Sequence, residues 1–300
     1  MKKQYFVLPA LCLMLTAAGC QPHESADPSV TPSAGTVEYT NLVETDLQNE
    51  LSQMMAEAGI SEIHRQIFFD QVNYFNGIVS PDALTTGFET HDIMMPKYDP
   101  YAMQEEWEEK SPDFFGYNCR ITAFSLLGDL ITVPADAEIR DELLFFDLMA
   151  LEENASALPN EGDLAKFSAL YSKIPTEATR DISVHVAKIQ KDWSERGITF
   201  DDQAKARLIS VIFHETEDTG DYLFIAHTGV LLPHADGTLT FVEKLAFQEP
   251  YQWCRFENRT ALSDYLMTKY NLSYDQPTAA AFILENNQLM DGYREKSAAK

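Results

Sequence analysis

Near residue 200 the apolar pattern of this 300-residue chain changes period, and that change limits the fold more than any other feature. Before it, apolar residues recur at helical spacing. The clearest run is Ile63, Ile67, Phe68, Val72 and Phe75, opened by Ser61. Helices are predicted over 46–58 (ended by Gly59), from 61 onward, and over 103–110, 118–130, 136–153, 163–172 and 181–196. Residues 37–43 read as a short strand or extended lead-in. Residues 77–101, with Pro81, Gly87, Pro96 and Pro100, read mostly as loop. After the change come β-rich runs over 207–214, 222–232 and 239–247, with Asp236-Gly237 as a hairpin turn. A helix over 259–270, capped by Asn258, and a closing segment over 282–293 follow. Helices first and an antiparallel meander later predict an α+β fold, a helical N-terminal half packed on a C-terminal antiparallel sheet.

The N-terminus predicts export. Lys2 and Lys3 precede an apolar stretch over 5–15, too short to span a bilayer, and small residues then lead to Cys20. Thr16-Ala17-Ala18-Gly19-Cys20 resembles the bacterial lipobox, with Ala17 where that motif prefers Leu. The resemblance implies a signal peptide over 1–19, lipid on Cys20 and a body held to a membrane outside the cytoplasm, at the cell surface or in the periplasm. Residues 20–36, rich in Pro, Ser, Ala and Thr, read as a lipidated flexible tether, and 37–300 as one globular domain.

Charge narrows the partners. Without residues 1–19, which hold two lysines and no acid, 20 basic residues face 47 acidic ones, a net charge of −27. Such a body repels nucleic acid and anionic polymers, so membrane contact is expected through the lipid and no nucleic acid partner is expected. Asn154, Asn258 and Asn271 head sequons that matter only in a glycosylating host. Cys12 leaves with the signal and Cys20 carries lipid, which leaves Cys119 and Cys254, free or paired with each other.

Cys119 follows Gly116-Tyr117-Asn118 at the predicted start of a buried helix. Asn118 can cap that helix, and the unpaired N–H groups of its first turn, with Arg120 nearby, favour a thiolate. His227 lies on a strand face with Leu223, Ile225 and Leu231, while Gly229 leaves room beside the ring. Glu243 shares a face with Phe241, Leu245 and Phe247, and a carboxylate there needs a partner. If the loop is 233–237, with Leu232 facing Thr238, His227 stands directly opposite Glu243. A three-residue loop makes the two diagonal neighbours, and a two-residue turn puts Glu243 on the opposite face. Read alone, Cys119 is equally a small buried residue, His227 a satisfied core histidine, and Glu243 half of an ion pair with an Arg such as Arg255. A metal site from His214, His227 and His234 with Glu215 or Glu217 has no ligand spacing to support it, so neither metal nor cofactor is expected.

A cysteine at a helix start, a histidine on a later strand and a polar residue on the next resemble the papain-like order. His227-Thr228-Gly229-Val230 is similar to the histidine strand of NlpC-type wall peptidases. That resemblance implies a papain-like, NlpC-like fold with Cys119 as nucleophile, His227 as proton carrier and Glu243 as its orienting acid. Asn118, Arg120 and Ile121 replace the Asp and Ser-Gly that flank the cysteine in those enzymes. No Gln precedes Cys119 at papain's spacing, so Tyr117 or the Cys119 N–H becomes the candidate oxyanion donor, and Tyr117 and Asn118 the candidate cleft lining. Three segments, 69–75, 116–120 and 243–251, are similar to a family of uncharacterised bacterial lipoproteins, the domain of unknown function numbered four thousand three hundred. Two functional readings result. One is a membrane-anchored cysteine hydrolase of amide or peptide bonds, with wall peptides as a candidate substrate. The other is a non-catalytic binding or interaction lipoprotein using aromatic segments 114–117 and 250–253 to line a cleft.

Overall fold

A computed structural model describes residues 35–271 and 276–295. The expected signal peptide, Cys20 and the tether as far as residue 34 lie outside the described residues. Thr36, the last residue assigned to the tether, already opens a strand and faces Asp92.

In chain order the elements are β1 (Thr36–Thr40), α1 (Thr45–Glu57), α2 (Glu62–Ile78), β2 (Glu89–Asp92), α3 (Pro100–Lys110), α4 (Cys119–Leu127), β3 (Ile131–Thr132), α5 (Phe145–Glu153), α6 (Asp163–Leu170), β4 (Ile174–Pro175) and α7 (Ile182–Glu195). Then come β5 (Thr199–Phe200), β6 (Arg207–Glu217), β7 (Gly220–Pro233), β8 (Leu239–Lys244), β9 (Tyr251–Phe256), α8 (Arg259–Tyr270), β10 (Phe282–Glu285) and β11 (Gln288–Leu289). The fold is α+β, and its main sheet is antiparallel throughout, in the order β11-β10-β6-β7-β8-β9-β1-β2. The sheet therefore recruits β1 and β2 from the N-terminal half beside β9, which the division into a helical half and a sheet half does not anticipate.

Alternation along the strands separates two apolar cores. Val242, Tyr251, Trp253, Phe282 and Leu284 face the larger one, beneath α1 to α7. Phe241, Cys254, Phe256 and Ile283 face the smaller one, closed by Leu262, Tyr265 and Leu266 of α8. Every residue of α4 except Arg120 is buried, as expected of a central helix.

β6 lies along one edge of β7 over almost its whole length. On the other edge β8 covers only Gly229–Pro233 and β4 only Tyr222 and Leu223. The tip of α4 sits in the gap between them, where Arg120 Nη1 donates to the Ile225 carbonyl at 3.0 Å.

Two expectations fail locally. Residues 136–144 are not helical, and α5 begins only at Phe145. Their backbone is held by partners distant in sequence: Arg140 N–H donates to Ser172 Oγ at 2.8 Å, and the Arg140 carbonyl accepts from Lys173 at 3.1 Å. β8 also stops at Lys244, so Leu245 and Phe247 lie in a loop rather than on the face of Glu243.

Candidate active site

The site begins with the cap of α4. The Asn118 side chain accepts from the Ile121 N–H at 3.0 Å, which fixes the helix start one residue before the thiol. Asp147 of α5, fully buried, holds this turn from beneath. It accepts from Asn118 Nδ2 at 2.7 Å and from Arg120 Nε and Nη2 at 2.9 and 2.6 Å. Gly116 has φ +99°, and a side chain there would meet the Phe247 carbonyl at 2.4 Å. Glycine is therefore required for residues 114–118 to lie against the loop after β8.

The histidine arrives by a different route from the simple alternation. Opposite Ile212 stands Ile225 and opposite Val211 stands His227, so Ala226 is an extra residue that bulges β7. The bulge breaks the expected shared face. Leu223 and Ile225 face the larger core, whereas Leu231 faces the smaller one. His227 turns to the side of Leu231, where its ring stacks on Tyr270 of α8 with centroids 4.3 Å apart.

The β7–β8 hairpin turns through Ala235-Asp236-Gly237, closed by the His234 N–H on the Thr238 carbonyl at 2.9 Å, with Gly237 at φ +90°. Leu232 consequently faces Thr240, not Thr238, and Gly229 faces Glu243. His227 and Glu243 are diagonal neighbours, joined through Nε2 and Oε2 at 2.6 Å. Room beside the ring at Gly229 is taken by Phe241, whose ring would lie 2.4 Å from a side chain there. Glu243 Oε1 accepts from the Tyr265 hydroxyl and stands 3.9 Å from Cys254 Sγ.

Cys119 and His227 act on each other's ionisation, while Nε2 of the ring is committed to Glu243. Burial opposes charge on both groups. Mutual attraction overcomes it: His227 and Arg120 hold the Cys119 thiol below its ordinary value, and Cys119 with Glu243 lifts His227 to about 9. Burial also works against the Glu243 carboxylate, but His227, Lys269 and Tyr265 bring it below the usual range. Both shifts favour a thiolate beside an imidazolium, with the Glu243 carboxylate on the far side of the ring. Cys119 exposes 6% of its surface, His227 2% and Glu243 none.

Whole-chain comparison adds one finding, a match over residues 38–290 to the model of a domain of unknown function, DUF4300. The chain belongs to the DUF4300 family. No curated protein matches it, and no solved structure does.

Within the DUF4300 domain the other sequence candidates separate. Cys254 is free, buried beside the Glu243 carboxylate, and pushed well above its ordinary value by burial; Cys119 is free as well. The Tyr117 hydroxyl is spent on the Asn154 carbonyl at 2.9 Å and Ser156 Oγ at 3.1 Å, and the Asn118 side chain on its cap and Asp147. The first-turn N–H groups of Cys119 and Arg120 have no acceptor within the helix. His214 takes the Ala279 N–H, His227 takes Glu243 and His234 takes Thr240, each in its own neighbourhood. Arg255, the suggested ion partner of Glu243, lies instead over the Phe88 ring. Asp147, Tyr265 and Tyr270 escape sequence reading. The one usable signal is Asp147 itself, a lone acid inside the apolar run 143–151.

Proposed function

We propose that this DUF4300 protein is a cysteine-dependent hydrolase of amide or peptide bonds, working on the papain-like plan of NlpC-type enzymes. The observation that carries the reading is the meeting of Cys119, His227 and Glu243 at the end of β8, with the thiol depressed and the imidazole raised. The Cys119 thiolate attacks the amide carbonyl, forming a C–S bond, and the carbonyl oxygen takes the electron pair. The unpaired first-turn N–H groups of α4 are the donors proposed for that oxyanion. His227 gives its proton to the departing amine as the C–N bond breaks, leaving a thioester. It then takes a proton from water, which attacks the thioester and releases the acid and the thiolate. Glu243 keeps Nε2 engaged and the imidazolium stable throughout.

The anchor belongs to the same proposal. The lipobox-like run ending in Cys20 supports a body tethered by lipid outside the cytoplasm, where wall peptides lie within reach. Among the described residues no helix is long and apolar enough to cross a membrane.

Iodoacetamide tests the chemistry with an internal control. Cys119 is expected to be alkylated rapidly near neutral pH while Cys254, next to a carboxylate, stays unmodified in the folded protein. Peptide mapping reads both sites. An unreactive Cys119 removes the hydrolase and leaves the binding reading, which draws on the aromatic cavity that Tyr117 lines.

A further inference from the structure

A cavity of 280 Å³ lies on the larger-core face of the sheet, and Cys119, His227 and Glu243 are absent from its wall. Consecutive residues of β8 serve the two places. Glu243 turns to His227, while Lys244 turns to the cavity. The three segments that carry the family likeness meet here, through Gln71, Tyr117 and Tyr251 among others.

Its wall is aromatic: Tyr74, Phe75, Trp107, Phe114, Tyr117 and Tyr251. Several of these rings already pack edge to face or stacked on one another, with Phe75 and Trp107 centroids 5.3 Å apart, so the wall is rigid. Lys244 does not leave a loose charge inside. Its ammonium donates to the carbonyls of Ala246, Phe247 and Glu249 and lies 4.2 Å from the centre of Phe75, which uses its three donors.

One polar group in the wall is unspent. Gln71 is 7% exposed; its Oε1 meets the Tyr251 hydroxyl at 3.5 Å, and its buried Nε2 has no partner. A buried donor without an acceptor is costly, and an acceptor on a ligand would relieve it. Asp70, exposed at the rim, disfavours an anion and suits a neutral or positive group. The volume stands at the low end for ligand pockets, enough for one ring-bearing group rather than an extended molecule.

We propose that this cavity is a binding site for an aromatic residue of a peptide, its ring inside the aromatic wall and its carbonyl on Gln71 Nε2. The site is independent of the thiol chemistry and stands whether or not Cys119 is a nucleophile.

Calorimetric titration of the purified full-length protein with N-acetyl-L-phenylalaninamide tests it. Saturable one-to-one binding is expected, weaker for N-acetyl-L-leucinamide and for anionic N-acetyl-L-phenylalanine. Gln71→Leu should weaken binding about fivefold. Ser156→Trp, which plugs the exposed rim, should abolish it, and Cys119→Ala should leave it unchanged. Thermal melts of each variant confirm that the fold persists, and Gln71→Leu carries the test if Ser156→Trp does not fold. No saturable binding, equal affinity for the leucine compound, or indifference to both Gln71→Leu and Ser156→Trp would overturn the proposal.

Discussion

Glu243 is fully buried, yet its carboxylate stays charged because the groups around it offer a proton or positive charge: His227, the Tyr265 hydroxyl, the Cys254 thiol and, further off, Lys269. A thiol held below its ordinary value is ionised above that lowered point, and an imidazole lifted to about 9 keeps its proton below 9. The reactive pair therefore exists between the two limits. Turnover should fall above about 9, where His227 loses the proton needed by the leaving amine, and again on the acid side as the thiolate is protonated. Glu243→Gln keeps the shape and removes the charge. It should move the acid limit up and the alkaline limit down, and each unit gained by the thiol cuts its ionised fraction below that limit about tenfold. Alkylation rate against pH reads the shift directly. Unchanged limits would mean that the carboxylate plays no part in holding the pair.

At the scale of elements, Gly229 decides whether the pair of strands can hold histidine and acid together. A methyl group there would meet the Phe241 ring and the Val242 carbonyl at 2.4 and 2.7 Å. Gly229→Ala should destabilise the fold by about 1–3 kcal/mol through overpacking, and slow Cys119 alkylation as the hairpin shifts. Urea unfolding and alkylation rate measure both; a variant with wild-type values in both would exclude a positioning role. Much of this scale was legible in the chain. Helices with an apolar stripe, such as α2 after Ser61 and α7 after Asp181, stand where periodicity puts them, although Ser61 bonds Asp129 rather than the helix end. Cys119, His227 and Glu243 could each be read because a polar group on an apolar face is conspicuous. β9 could not: five of its six residues are buried, so no alternation marks it. Nor could the bulge at Ala226, which arises from pairing with β6 and leaves no mark in hydropathy. Residues 136–144 mimic a helix locally, but bonds to Ser172 and Lys173 outweigh that preference.

For the whole molecule the decisive residue is Cys20, outside the described part. On the proposed reading a body of net charge −27 has no electrostatic reason to approach an anionic bilayer, and acyl chains on Cys20 supply the anchor. Cys20→Ala should shift the protein from the membrane to the soluble fraction and abolish labelling by palmitate. Retention in the membrane fraction would point to an uncleaved N-terminal segment instead. The folded body carries its own link between chemistry and solution behaviour. Arg120 plugs the stretch of β7 that neither β8 nor β4 covers, and the thiol hangs from the neighbouring residue. The guanidinium thus gives the Ile225 carbonyl the donor that no neighbouring strand supplies there. Loss of this one side chain would leave a strand carbonyl and the Asp147 carboxylate short of donors together, so the seat of the sulfur and the seam of the sheet share a single fastening.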